Sequence, residues 1–228
     1  LTSSDSCGMI KGFIMQVSPI VFETVCRLRG WPGAAGQSLD AVEHLVSMYG
    51  GDGDHLEIGS LFGASAIVAA RTKLSKHQNG KVVCIDPMLT DEQEPYFHVE
   101  GMTPVEKLFF DNQELIFRES TKPFSNIEFV RARSQPWPLD PSKRFTTAFI
   151  DGWHYEDGPL MDAKIVAKIT DVAILLDDVG PHYPDVYKAF KYLVGHPKWY
   201  PISMANYSAI FLKVNNGVKF TTNGKEQY

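Results

Sequence analysis

His55-Leu56-Glu57-Ile58-Gly59-Ser60-Leu61-Phe62-Gly63-Ala64-Ser65 is the stretch that decides the fold. His55–Ile58 reads as a short strand, the two glycines as a turn, and Ala64–Leu74 as the helix that follows. Glycine supplies the backbone freedom that a sharp strand-to-helix turn requires. The same unit recurs along the chain. Further strands are expected at Lys81–Ile85, Ile127–Arg131, Thr147–Ile150, Val172–Leu176 and Ala209–Val214, several of them continuous apolar runs, as in parallel strands covered on both faces. Helices are expected at Leu39–Tyr49 with Ser38 as N-cap, at Val105–Phe117 with Thr103 as N-cap and Pro104 at its first position, and at Pro159–Ile169 and Pro184–Val194. Strands alternating with helices predict a doubly wound α/β sheet. Trp199–Met204 and Ser208–Val214 are too close for a helical crossover and should pair as an antiparallel hairpin around Ala205-Asn206-Tyr207. The expectation is a seven-stranded, mostly parallel sheet with an antiparallel last strand, spanning residues 38–228, behind an N-terminal helical cap over residues 1–37 closed by Trp31-Pro32-Gly33.

Composition narrows the function. The chain has 228 residues, 44% of them hydrophobic, which suits one globular domain. A net charge of -5 argues against a dedicated nucleic-acid binder, which needs clustered lysines and arginines. No run approaches the ~18 apolar residues that cross a bilayer, so no membrane association is expected. Cys7, Cys26 and Cys84 form no Cys-x-x-Cys pair, which disfavours a thiolate metal site or a disulfide scaffold. No secretory leader is legible, and a cytoplasmic setting is the expectation.

The glycine turn brings backbone close to a ligand and aims the N–H groups of the following helix at it. Its Gly-x-x-x-Gly spacing is not the Gly-x-Gly-x-x-Gly of dinucleotide enzymes, which disfavours a nicotinamide oxidoreductase. Glu57 would repel a phosphate and suits a cationic ligand. Asp86 ends the second strand, where a carboxylate takes the two hydroxyls of a ribose; followed by Pro87, it equally suits the cap of a turn. A ribose-bearing, positively charged cofactor fits both loops, and S-adenosylmethionine answers that description.

Three carboxylates crowd one rim. Asp151 ends one strand, and Asp177 and Asp178 end the next, about 4.8 Å away in a sheet. Such acids repel one another and raise a pKa. A hard divalent cation, Mg²⁺ or Mn²⁺, removes the conflict, although acids also end strands simply to cap loops. Alternation along a strand sets Asp177 and Asp178 on opposite faces, so one can be a ligand while the other caps the loop. Asp178 is the stronger candidate. His154, three residues beyond Asp151, can accept a proton at neutral pH or merely hydrogen-bond in its turn.

Glu57-x-Gly59-x-x-x-Gly63, Asp86 at the end of the next strand and the C-terminal hairpin resemble the class I S-adenosylmethionine-dependent methyltransferases. Phe149-Ile-Asp-Gly-Trp-His154-Tyr, followed by Leu175-Leu-Asp-Asp178, is similar to their metal-dependent O-methyltransferase branch, of the catechol and macrolide-sugar types. The resemblance covers residues 38–214 and implies a Rossmann-like methyltransferase fold. It implies that Glu57, Gly59, Ser60, Gly63 and Ser65 surround the methionine part of the cofactor, Asp86 its ribose, and Ser134 its adenine, with Asp151 beside the cofactor. It further implies a metal at Asp151, Asp177 and Asp178, with His154 and Asp151 catalytic.

Trp153, Tyr155, His182 and Tyr183 place aromatic faces near the same rim and are expected to bind a small-molecule hydroxyl substrate, a phenol, sugar or natural product. Tyr96-Phe97-His98 and Phe109-Phe110 lie in a long connection suited to a lid, although Phe109, Phe110 and Phe117 sit at the helical spacing of core residues. Three readings follow: a Mg²⁺-dependent O-methyltransferase, a metal-independent methyltransferase using His154 as base, and a non-catalytic S-adenosylmethionine-binding module. By the same resemblance, the N-terminal cap is where a homo-oligomer would form.

Overall fold

The computed structural model describes residues 36–89, 110–205, 207–214, 221–222 and 225–226. Residues 1–35 of the cap expected over 1–37, the start of the helix expected from Val105 and residues 96–98 of the expected lid lie outside the described residues, while residues 36–37 begin α1. In chain order the elements are α1 (Gly36–Tyr49), β1 (His55–Ile58), α2 (Ala64–Ser75), β2 (Val82–Asp86), α3 (Gln113–Thr121), β3 (Ile127–Arg131), β4 (Phe145–Ile150), α4 (Gly158–Ile169), β5 (Thr170–Leu176), α5 (Pro184–Val194), β6 (Trp199–Ala205) and β7 (Ser208–Lys213). A two-stranded ribbon, β8 (Thr221–Thr222) and β9 (Lys225–Glu226), follows.

The strands form one seven-stranded sheet in the order β3-β2-β1-β4-β5-β7-β6. β7 runs antiparallel to both neighbours, and every other pairing is parallel. The order reverses between β1 and β4, where an open α/β sheet places its ligand crevice.

Side-chain alternation sorts the apolar residues into two cores. Leu56 and Ile58, Val83 and Ile85, Ala148 and Ile150, and Ile174 and Leu176 pack with α4 and α5. Val82 and Cys84, Phe149, and Ala173 and Leu175 pack on the opposite face with α1 and α2. Both helical layers are needed because the parallel strands are apolar on both sides. α3 ends four residues beyond Phe117, at Thr121; Lys122 still bonds back to Arg118, and Pro123, which has no N–H, cannot continue the ladder. No helix among the described residues is long and apolar enough to cross a membrane.

Candidate active site

The ends of β1, β2, β4 and β5 bring the predicted residues to one edge. Gly59 adopts φ 82 and donates its N–H to Ile85, while the Asp151 N–H donates 2.8 Å to Ile58. The turns after β1 and β4 therefore touch. A Cβ at Gly59 would stand 1.9 Å from the Asp151 carbonyl oxygen, so glycine is obligatory there. Gly63 takes φ 90 at the N-cap of α2, against the ring of Phe117.

Glu57 lies fully buried between these turns, on the α1–α2 face. Both of its carboxylate oxygens lack a hydrogen-bond partner of good geometry, as does the neighbouring Ser60 hydroxyl. Burial pushes the carboxyl up to about 8, and the nearby hydroxyls of Ser60 and Ser65 offset only part of this. A buried, unpartnered acid is costly unless something charged completes it. The donor set therefore fits a cationic amine.

Asp86 is deployed more as a turn cap than as a free ribose ligand. Its Oδ2 accepts from the N–H groups of Ser60 at 2.7 Å and Leu61 at 3.0 Å, and its Oδ1 from Met88 at 2.7 Å. Burial raises its pKa, against the lowering effect of those three N–H groups. Two of them belong to the glycine turn, so Asp86 fixes the loop that carries Glu57's surroundings.

The acidic rim differs from its sequence expectation in one member. Asp151, His154 and Asp178 converge, each offering one ligand atom, all within 4.8 Å of one another. His154 Nε2 lies 3.2 Å from Asp151 Oδ1 and 3.5 Å from Asp178 Oδ2. Asp177, expected among the metal ligands, is turned away. Its Oδ1 accepts from the Ser208 hydroxyl at 2.5 Å, and its Oδ2 from the Ser38 hydroxyl. Alternation is the cause: Leu175 packs on the α1 side and Leu176 on the α4–α5 side, so Asp177 returns to α1. Ser38 correspondingly lies inside the first turn of α1, spending its hydroxyl on Asp177 and not on a helix cap. Asp178 then leaves the strand at φ 54, which redirects its side chain to the rim.

Burial raises the pKa of Asp151, and the charges of Asp177 and Asp178 add to it, against the pull of His154. Asp178 is raised in the same direction, chiefly by burial. For His154 burial acts downward, but the Asp151 hydrogen bond and the surrounding carboxylates outweigh it, and its pKa is raised. The imidazole is thus suited to carrying a proton between two acids.

Aromatic rings flank this rim. Tyr183 lies 4.7 Å from His154, centroid to centroid, and Tyr155 6.2 Å from Tyr183. Burial and the charge of Asp178 hold the Tyr183 phenol above its usual range. Trp153 stacks edge-on to Tyr155 at 5.2 Å and lies against Gly158 at the start of α4. His182 pairs instead with Tyr207, at 6.3 Å, on the tip of the β6–β7 hairpin. The Tyr207 carbonyl accepts from the Val179 N–H at 2.6 Å, which holds that tip beside the rim. Sequence reading placed Tyr207 in the turn but gave it no role. The pairing of its exposed ring with His182 is visible only once β7 is docked on β5.

Ser134, expected near the cofactor's base, lies half-buried after β3 within hydrogen-bonding reach of Asp162 on α4. Asp162 was missed, although a signal existed: it falls on the buried stripe of α4 with Pro159, Ala163 and Val166.

Solved structures share this architecture at low sequence identity. A Staphylococcus aureus protein proposed to be a caffeoyl-CoA O-methyltransferase aligns with a TM-score of 0.58 at 16% identity, over 93% of this chain and all, 100%, of that one. The S-adenosylhomocysteine-bound methyltransferase PaMTH1 of Podospora anserina gives 0.58 at 12% identity, over 94% and 98%. The O-methyltransferase TomG of Streptomyces achromogenes, involved in tomaymycin synthesis and solved with S-adenosylmethionine, gives 0.54 at 14%, over 90% of each chain. No family model matches the chain, and no curated protein matches its sequence. The chain has the Rossmann-like fold of the class I methyltransferases.

Proposed function

We propose that this chain is an S-adenosylmethionine-dependent O-methyltransferase that methylates a hydroxyl of a small molecule, with Mg²⁺ or Mn²⁺ held by Asp151 and Asp178. The observation that carries the reading is the adjacency of two incomplete sites across one backbone contact. Glu57 is buried without a partner, and Asp151, His154 and Asp178 converge beyond the Gly59 turn.

Glu57 would meet the cofactor's amino group, and the Ser60 and Ser65 hydroxyls would line the same end. Asp86 Oδ2 is filled by the Ser60 and Leu61 N–H groups, and Oδ1, which takes only the Met88 N–H, keeps a lone pair with which it would accept a ribose hydroxyl. The cofactor supplies a methyl group on a sulfonium, and a divalent cation lowers the pKa of a hydroxyl bound to it. Asp151 and Asp178 suit a hard cation, which prefers oxygen ligands. His154, hydrogen-bonded to Asp151, takes the hydroxyl proton, and the resulting imidazolium is stabilised by both acids. Tyr155, Tyr183 and Trp153 would hold the acceptor beside that imidazole, with His182 and Tyr207 on its other flank.

A second reading is favoured by the 3.2 Å contact between His154 and Asp151. That pair alone could serve as a base, without a metal. Calorimetric titration with S-adenosylhomocysteine, together with Mn²⁺ binding followed by electron paramagnetic resonance, tests both. Binding of both ligands is expected. Nucleoside binding without any Mn²⁺ binding would favour the metal-independent reading, and no nucleoside binding would overturn the cofactor assignment.

A further inference from the structure

We propose that Asp162 is the positioning residue for the nucleobase end of the cofactor site, an inference that rests on the S-adenosylmethionine reading above. Asp162 is 1% exposed in the first half of α4, where the adjoining Ala163 and Val166 belong to the α4–α5 core. An apolar side chain would be the ordinary occupant. The carboxylate instead holds one turn and lies against another. Its Oδ1 accepts from Gln135 Nε2 at 3.1 Å, and the Ser134 hydroxyl completes the pair. Its Oδ2 lies beneath Gly152, 3.5 Å from where a Cβ on that residue would stand.

The strand order gives this contact its meaning. β3 and β4 are separated in the sheet by β2 and β1, so a loop that leaves β3 and reaches α4 must cross the ends of both. Trp137 and Leu139, farther along that loop, pack on the α4–α5 core and confirm the crossing. Residues 132–139 therefore wall the crevice on the side opposite Glu57. Asp162 ties that wall to α4, directly beside the turn that carries Asp151. Its burial raises its pKa, and the hydrogen bonds from Ser134 and Gln135 act against that rise. A buried carboxylate with two donors from one loop orients both, and Gln135 Oε1 and the Ser134 oxygen lone pairs would then be available to a nucleobase lying beyond Asp86.

The test compares S-adenosylhomocysteine with S-inosylhomocysteine, which differs only at the base, on wild type, Asp162→Asn and Ser134→Ala. Asparagine removes the charge and turns one acceptor oxygen into an NH2 donor, so the carboxylate's hold on the Ser134 hydroxyl and Gln135 Nε2 is weakened. Wild type is expected to prefer the adenine ligand, and Asp162→Asn to lose roughly tenfold of that preference while Mn²⁺ affinity is unchanged. Ser134→Ala leaves α4 intact and should lose part of the same preference, non-additively with Asp162→Asn. Equal weakening of both nucleosides, or no change in either variant, overturns the proposal. Failure of wild type to bind either nucleoside would instead overturn the cofactor reading.

Discussion

Asp177 and Asp178 are chain neighbours whose carboxylates serve opposite sides of the sheet edge. Asp177 is held by the Ser38 and Ser208 hydroxyls, and Asp178 by proximity to His154. The first ties α1 to β7, and the second belongs to the acidic rim. Asp177→Ala should destabilise the fold by about 1.5–3 kcal/mol, the worth of hydrogen bonds to a charged group, with Mn²⁺ affinity nearly unchanged. Asp178→Asn should do the reverse, with little change in melting temperature and a loss of more than about tenfold in Mn²⁺ affinity. Thermal denaturation and paramagnetic titration separate the two. Loss of Mn²⁺ binding in a normally melting Asp177→Ala protein would return Asp177 to the ligand set.

Asp151→Asn should abolish Mn²⁺ binding and leave S-adenosylhomocysteine affinity within about threefold, because the Gly59 turn contacts the Asp151 backbone and not its carboxylate. The same change removes a buried acid whose pKa is raised, so the variant should melt higher than wild type at pH 8. Calorimetry and a melting curve read the two effects independently.

Glu57 predicts a pH dependence of both stability and binding. Below pH 4.5, the ordinary value, it is protonated in the folded and unfolded chains alike. Between 4.5 and about 8 the unfolded chain has released a proton that the folded chain keeps, so stability falls as pH rises and levels off above 8. The cost is on the order of a few kcal/mol. Glu57→Gln should therefore melt like wild type at pH 4.5 and well above it at pH 8. S-adenosylhomocysteine carries the amine that would ionise Glu57, so its binding at pH 7 should release close to one proton, measured by calorimetry in buffers of different ionisation enthalpy. No proton release would separate Glu57 from the ligand's amine.

Gly59→Ala should lose more than about 4 kcal/mol of stability, since the new methyl meets carbonyl backbone that has no room to move. Gly51 also has a positive φ, of 49, yet nothing lies within 4 Å of its added Cβ, so Gly51→Ala should cost only about 1–2 kcal/mol. Urea denaturation of the two variants isolates the contact from the backbone conformation.

Much of this was legible in the chain. Proline at the start of α4 and α5, and glycine after β1, fixed helix starts to within a residue, because these residues act locally through φ. The antiparallel β7 followed from a connection too short for a crossover. The rim at Asp151 and Asp178 followed from strand ends. Sequence left open which of Asp177 and Asp178 faces the rim, because the partners that hold Asp177 away from it are 139 and 31 residues distant, on α1 and β7. Local pattern carries the face of a side chain but not who waits there. Asp86 shows the same limit: its position was right, yet the three backbone donors that occupy it come from turn geometry, which spacing alone does not give.

The touching turns at Gly59 and Asp151 constrain how such a protein can diversify. On the proposed reading, donor seat and acceptor rim would be parts of one rigid block, so that neither could be remodelled without damage to the other. On that reading, new acceptor preferences would arise in the periphery, at Tyr155, His182, Tyr183 and Tyr207, where side chains change without moving that hinge-free joint.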